Sequence, residues 1–248
     1  MNRVTRSLDR LFRTLGYRVI PNWRYEPNTL DAHLRLLFET LRISCVIDVG
    51  ANTGQYRDLL RNEVGYDGWI ASFEPVKANF EALAAKATTD HRWCVFDCAL
   101  GAAAGSAEIN VMQDTQFSSL LAPAETQLAQ FEAKNAIAYR ETIRMRTLAD
   151  VAVDIVQRGA PLDRCYLKLD TQGFDLEVLH GAKDFLDRVA ALQMEMPLLE
   201  IYRSMPALAD GLRATRELGF DATGFFPISR DPQLRLVEMD CVFTKRPA

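Results

Sequence analysis

The segment Asp48-Val49-Gly50-Ala51-Asn52-Thr53-Gly54, which follows the apolar run Cys45-Val46-Ile47, constrains this chain more than any other. A short buried strand breaks into a glycine turn there and a helix departs, so backbone can approach a ligand at the strand's carboxyl end. Further on, Phe73-Glu74-Pro75 puts an acid at the tip of the next strand, where its two oxygens can accept both hydroxyls of a ribose. The pattern predicts an α/β fold built around a nucleotide-like cofactor.

The glycine spacing narrows that cofactor. A dinucleotide enzyme uses G-x-G-x-x-G to cradle a pyrophosphate. Here Gly50 and Gly54 stand in G-x-x-x-G, and Asp48 just before them would repel phosphate. S-adenosylmethionine has a ribose, an adenine and a cationic sulfonium but no phosphate, and an acid-lined mouth suits it electrostatically. An NAD-dependent oxidoreductase is the weaker alternative, since the third glycine is missing.

From Leu30 onward, short apolar runs alternate with amphipathic helices, the sign of a parallel sheet covered on both faces. Strands are expected at Cys45 to Val49, Trp69 to Phe73, Trp93 to Cys98, Leu167 to Leu169 and Ala191 to Met194. Helices are expected at Leu30 to Leu41, Gln55 to Glu63, Val76 to Thr88, Leu148 to Arg158, Asp175 to Leu186 and Met205 to Leu218. The end breaks the alternation: Phe220 to Phe226 and Arg235 to Thr244 flank a turn at Asp231-Pro232, which predicts an antiparallel final hairpin. A long insertion, Gly101 to Arg146, carries one expected strand at Glu108 to Val111 and the polar segment Phe117-Ser118-Ser119-Leu120, placed to cover an acceptor.

With 248 residues, 48% hydrophobic and 25% charged, the chain has the makings of one domain, residues 43–248, with a helical extension, residues 1–42. A net charge of -4 provides no basic field for nucleic acid. The five cysteines are odd in number and sit largely in apolar runs, which predicts buried thiols and a cytoplasmic setting rather than disulfides or a metal at Cys94 and Cys98. The first 24 residues hold six arginines against one acid, Asp9. Val4, Leu8, Leu11, Phe12 and Leu15 recur between them at helical spacing. The expected arrangement packs this apolar stripe on the domain; peripheral contact with an anionic membrane is the second reading. A connector, Pro21 to Asn28, follows.

Ligands of an open parallel sheet bind at its strand ends, and here the ends are acidic: Asp48, Glu74, Asp97, Asp170 and Glu195. Unpaired buried carboxylates are costly, so packing alone does not account for them. His180 falls on a helix away from the strand tips, and His33 and His91 lie outside the motifs, so none is placed to act as a base.

Val46-Ile-Asp-Val-Gly-Ala-Asn-Thr-Gly54, Phe73-Glu-Pro75, Ala99-Leu-Gly101, Ser118-Ser-Leu120, Thr147-Leu148, Leu167-Lys-Leu-Asp-Thr-Gln-Gly173 and Val178-Leu-His-Gly-Ala182 together resemble the FkbM-type methyltransferases over residues 43–244. The resemblance implies a Rossmann-like class I fold: a seven-stranded, mostly parallel sheet with an antiparallel last strand and helices on both faces. It implies S-adenosylmethionine as donor and O-methylation of a sugar, glycan, glycolipid precursor or polyketide-like metabolite. By position, Asp48, Gly50, Asn52, Gly54 and Gln55 would surround the methionine part, Glu74 the ribose, and Cys98 and Ala99 the adenine edge. Asp170 would lie nearest the transferred methyl. Where the family pattern often has Glu-Gly-x-Glu after that aspartate, this chain has Gln172-Gly173-Phe174-Asp175.

A hydroxyl is a poor nucleophile until it loses its proton. Asp170 or Glu195 could serve as the base, or the two could hold a divalent metal that acidifies the hydroxyl. A non-catalytic module that keeps the cofactor fold within a biosynthetic complex is the other alternative.

Overall fold

The computed structural model describes residues 3–18, 20, 29–125 and 131–247. The connector at 21–28 lies outside them. Seven strands form the main sheet: β1 (Cys45–Val49), β2 (Trp69–Phe73), β3 (Trp93–Phe96), β7 (Cys165–Leu169), β8 (Val189–Pro197), β9 (Phe220–Arg230) and β10 (Leu236–Lys245). Their spatial order is β3-β2-β1-β7-β8-β10-β9. The neighbours from β3 to β8 pair in parallel, and β10 runs antiparallel to both β8 and β9. This is the class I methyltransferase sheet, with its switch point between β1 and β7.

Helices α2 (Leu30–Leu41), α3 (Gln55–Leu59), α4 (Lys77–Ala87), α5 (Leu148–Gln157), α6 (Asp175–Gly181) and α7 (Leu208–Glu217) connect the strands. One core joins Ile47, Leu167, Leu192 and Phe243 to Leu148, Val151 and Val178 of α5 and α6. The opposite face of the sheet packs Val46, Ile70 and Tyr166 on Leu34, Phe38 and Leu60. Strands buried on both faces read as continuous apolar runs, which is why β1 and β7 stand out in the sequence. Helix α5 starts on a capping box: Thr147 Oγ1 accepts the Asp150 N–H and Asp150 Oδ2 accepts the Thr147 N–H, both at 3.2 Å.

Several boundaries depart from expectation. The chain leaves the main sheet after Phe96, and Ala99–Leu100 (β4) pairs instead with β6 (Ile137–Arg146). Strand β6 also pairs antiparallel with β5 (Gly105–Met112), so the insertion is a second, three-stranded sheet. Helix α3 widens into a π-helical turn at Leu60–Val64. Helix α6 ends at Gly181, where an added Cβ would stand 2.0 Å from the Gly101 carbonyl oxygen, and a 3-10 segment, Lys183–Arg188, completes the connection. All five cysteines are buried and free.

The N-terminal helix α1 spans Arg3–Thr14. Its stripe was expected to pack on the domain, yet Leu8, Leu11, Phe12 and Leu15 are exposed.

Leu167, fully buried at the centre of the main sheet, packs into the core on the α5–α6 face. Leu167→Ala is expected to cost about 2 to 5 kcal/mol of stability, read as a lower urea midpoint with an unchanged slope.

Candidate active site

A cavity of about 440 Å³ opens at the carboxyl ends of β1, β2, β7 and β8. That size falls within the roughly 300 to 1,000 Å³ of small-molecule sites. Its two ends differ chemically.

The first end is the glycine turn. Gly50, Asn52 and Gly54 all hold positive φ, at 82°, 47° and 88°. At Gly50 the requirement for glycine is absolute, because a Cβ would sit 1.9 Å from the Asp170 carbonyl oxygen. The amides of Gly50 and Ala51 both donate to the Phe73 carbonyl at 3.0 Å, clamping the turn to β2. Asn52 Oδ1 accepts the Thr53 N–H at 2.8 Å and the Gln55 side-chain amide at 3.2 Å. Its Nδ2 reaches Thr115 Oγ1 of the insertion, also at 3.2 Å.

Glu74 lines the cavity beside this turn. Its Oε2 accepts the Asn52 N–H at 2.8 Å, and its Oε1 accepts the Val76 N–H at 2.9 Å and the Asn79 side-chain amide at 3.5 Å, so the open acceptor position is on Oε2. Burial pushes its pKa up to about 7, against the opposing pull of these hydrogen bonds. Gly50, Asn52, Gln55, Glu74 and Ala99 all line the cavity, as the sequence predicts. Cys98, Gly54 and Asp48 stand outside its wall. Cys98 is fully buried in the main core, and Gly54 begins α3 over Trp93 and Leu83.

Asp48 has a different setting, fully buried within β1. Its Oδ2 accepts the Ser72 hydroxyl at 2.9 Å, and Ser72 in turn accepts the Trp93 indole N–H at 2.9 Å. Its Oδ1 lies 3.2 Å from the Lys168 ammonium. Lys168 is only 7% exposed along its side chain and lies 3.2 Å from Asp170 Oδ2 as well. Burial alone would lower the lysine's pKa; Asp170 and Asp48 more than offset it, and the group is raised and stays charged. The Tyr56 ring covers it, with the ammonium 5.0 Å from the centroid.

The second end of the cavity gathers Asp170, Gln172, Glu195, Glu238 and Asp240. Gln172 holds a left-handed backbone, φ 54°, followed by Gly173 at 93°. That turn aims the Gln172 amide between two carboxylates: Nε2 donates to Asp170 Oδ1 at 2.8 Å and to Glu195 Oε1 at 3.2 Å. The Tyr202 hydroxyl lies 2.8 Å from both Gln172 Oε1 and the Phe117 carbonyl, so its one proton serves one of them at a time. Ser119 donates to the Gln172 carbonyl at 2.7 Å. The insertion is thereby tied to the carboxylate pair, and Thr115, Phe117 and Ser118 form part of the cavity wall.

Burial, then the charges of Asp170, Glu238 and Asp240, raise Glu195 well above an ordinary carboxylate. Asp240 is pushed up to about 6 by burial, against the 2.7 Å bond it accepts from Gln193 Nε2. Asp175 begins α6, and its Oδ1 accepts the Thr171 N–H at 2.9 Å and the Thr171 hydroxyl; burial pushes it up to about 6. It braces the 170–173 loop and does not line the cavity.

The donor set does not suit a divalent ion. No group of three or more His, Cys, Asp or Glu side chains among the described residues is arranged to hold one. The Gln172 amide hydrogens also occupy the oxygens of Asp170 and Glu195 that a cation would need. The expected metal thus finds no support. His180 is exposed on α6, 3.7 Å from Glu177; His33 bonds Thr223 Oγ1 at 3.0 Å, and His91 is exposed. Asp97, also counted among the strand-end acids, is exposed and outside the wall.

Sequence reasoning missed Lys168, Gln193, Glu238 and Asp240. The signal was period-two alternation inside buried strands. Tyr166, Lys168 and Asp170 alternate along β7 and its tip, Gln193 and Glu195 along β8, and Glu238 and Asp240 along β10. Pairing register then aligns Ser72, Asp48, Lys168 and Gln193 across four strands, and Asp240 opposite Glu195.

Four acids with raised folded-state pKa values, Glu195 the highest among them, contribute to the pH dependence of stability. Glu74, Asp175 and Asp240 retain protons in the folded chain that the unfolded chain has lost, so stability falls as pH rises from about 4 to about 7. Glu74 alone, moved from 4.5 to about 7, accounts for roughly 3 kcal/mol of this decline. Urea titrations across that window are expected to show the slope, and Glu74→Gln to flatten it; an unchanged slope in the variant contradicts the assignment.

The methyltransferase FkbM domain matches residues 48–222. No curated protein is significantly similar to the chain. Among solved structures, a methyltransferase FkbM from Methylobacillus flagellatus KT aligns at 16% identity and TM-score 0.48 over 82% of this chain, which spans 43% of that one. Aeropyrum pernix fibrillarin with natively bound S-adenosyl-L-methionine aligns at 7% identity and TM-score 0.44, covering 81% of this chain and 66% of that one. Precorrin-6y C5,15-methyltransferase from Geobacter metallireducens GS-15 aligns at 9% identity and TM-score 0.44, covering 87% and 89%. With the family's domain matched from the acid of the glycine turn to the first strand of the final hairpin, the chain belongs to the FkbM methyltransferase family.

Proposed function

We propose that this chain transfers a methyl group from S-adenosylmethionine to a hydroxyl oxygen of a sugar, glycan or glycolipid precursor. The observation that carries the reading is a single cavity with the glycine turn and Glu74 at one end and Asp170 with Glu195 at the other. The residues suit the donor: Gly50 removes the side chain where the cofactor would pass, and Glu74 keeps an acceptor position on Oε2 for a ribose hydroxyl, with the long Asn79 bond on Oε1 the one a second hydroxyl would displace. Bound there, S-adenosylmethionine supplies an electrophilic methyl on a cationic sulfonium.

The chain's own groups then divide the work. Asp170 is held in place by the Lys168 ammonium and the Gln172 amide, and it would accept the proton of the acceptor hydroxyl as that oxygen gains its bond to the methyl carbon and the methyl–sulfur bond breaks, its electron pair staying on sulfur. Glu195, which retains its proton to higher pH, can donate a hydrogen bond to a second acceptor oxygen. Gln193, Glu238 and Asp240 extend this polar wall, which favours a polyhydroxylated partner over an apolar one. Phe117 and Ser118 of the insertion close over the site and limit water.

Two substitutions test the halves separately. Glu74→Ala should weaken S-adenosylmethionine binding at least about tenfold by calorimetry, the loss of charge-assisted hydrogen bonds; unchanged affinity removes Glu74 from the donor site. Asp170→Asn should lower S-adenosylhomocysteine release with sugar and glycoside acceptors by about 10² to 10⁴ while donor affinity persists. A near-normal rate in that variant would take Asp170 out of the proton transfer.

A further inference from the structure

Helix α1 carries a surface that methyl transfer does not use. Leu8, Leu11, Phe12 and Leu15 follow one another at i, i+3, i+4 and i+7, and they are 44%, 60%, 39% and 66% exposed. Tyr17 and Ile20, just beyond the helix, are exposed as well. With about 100° of turn per residue, Leu8, Leu11, Phe12 and Leu15 occupy an arc of about 100°, and Arg10 and Arg13 an arc of about 60° on the far side. Asp9, the one acid of the helix, lies 2.9 Å from Arg13 Nε.

Such a stripe is unfavourable in water, where each large apolar side chain forgoes the gain of burial. A cationic face along the same helix does not belong in an apolar core either. The combination matches a boundary that is apolar below and anionic above. Twelve residues make a helix about 18 Å long, too short to cross a hydrocarbon core of about 30 Å, so the helix would lie in the boundary plane rather than span it. No helix among the described residues is long and apolar enough to cross a membrane.

We propose that α1 is a peripheral anchor that seats its leucine stripe among the acyl chains of an anionic lipid bilayer, with its arginines drawing on the lipid phosphates. Charge complementarity selects this occupant over a second copy of the chain. Pairing two stripes would cover the leucines but bring together two helices that each carry four arginines against the single Asp9, so like charge would accumulate on one small bundle. Around the helix, long arginine side chains reach down toward the headgroups, within about one Debye length of about 8 Å at physiological salt.

Co-sedimentation of the full chain with vesicles tests the proposal. The chain should pellet with vesicles of equal parts phosphatidylcholine and phosphatidylglycerol at least about tenfold better than with phosphatidylcholine alone, and added salt should release it. The double variant L11E/L15E, which keeps good helix formers, should lose binding by about a hundredfold or more. The variant R10Q/R13Q should weaken it by up to about fivefold per arginine, with the preference for anionic lipid reduced. Far-ultraviolet circular dichroism and the urea midpoint check that both variants remain folded. Failure of the full chain to pellet, equal binding to neutral vesicles, or undiminished binding in L11E/L15E overturns the proposal. So does a dimer by light scattering that dissociates in L11E/L15E without any vesicle binding, which would assign the stripe to a second copy.

Discussion

The Lys168 ammonium, buried between the carboxylates of Asp48 and Asp170, is the interaction on which the rest of the site depends. An isolated charge in that position would be expelled or neutralised, and so would either acid without the lysine. Held together, the three groups join β1 to β7 at the point where the strand order reverses, under the glycine turn and beside the cavity. Asp48 therefore acts on the site through Lys168: its charge is spent on holding the lysine, and the lysine holds Asp170. Ser72 and Trp93 extend the same network through β2 to β3, so four neighbouring strands fix the geometry of one carboxylate at the cavity edge.

This network explains why the two halves of the cavity sit on opposite sides of the switch point. On the β1–β2 side the polar contacts are made by backbone, with Glu74 accepting amides from Asn52 and Val76. On the β7–β8–β10 side they are made by side chains projecting from alternate positions of paired strands. The antiparallel placement of β10 sets Asp240 directly opposite Glu195 and leaves Glu238 one alternate position away. A parallel strand there would have had to enter from the opposite end of the sheet. Reversal of the final hairpin is thus part of how the carboxylate wall of the cavity is assembled.

The glycine-turn half of the cavity was legible in large part because it is local. Asp48 to Gly54 and Glu74 are linked by strand pairing over a short stretch, and the glycine requirement at position 50 follows from a backbone approach that only a turn of that type allows. Even there, chemistry and place came apart for Cys98. It precedes Ala99 at the cavity, but strand geometry turns its side chain into the core. The carboxylate half was less legible because it depends on register between distant strands. Glu238 and Asp240 lie in a segment that reads simply as a terminal strand, and only pairing with β8 brings them to Glu195. Strand β6 escaped notice because its outward residues, Arg140, Thr142 and Arg144, resemble a solvated loop, although Ile143 and Met145 mark the buried alternation. The helix at the N-terminus shows the reverse: its pattern was clear, but amphipathicity by itself does not say what covers the apolar side, and here the domain does not.

Gln172 shows how a residue can lose a charge and still hold its place in the site. A carboxylate at that position would stand as a third acid within hydrogen-bond distance of Asp170 and Glu195, and with one ammonium already shared the cluster would have to take up protons to fold. The amide instead presents two N–H donors, one for each acid, and an oxygen that faces the Tyr202 hydroxyl. Its left-handed backbone costs about 1 to 2 kcal/mol for a residue with a Cβ, and the bonds it makes to both carboxylates offset that strain. Because Ser119 and Tyr202 grip the same residue, displacement of the insertion would shift the amide and with it the spacing of the two acids. The segment that covers the cavity and the amide that spaces its two carboxylates are therefore mechanically one unit, and position 172 is the joint between them.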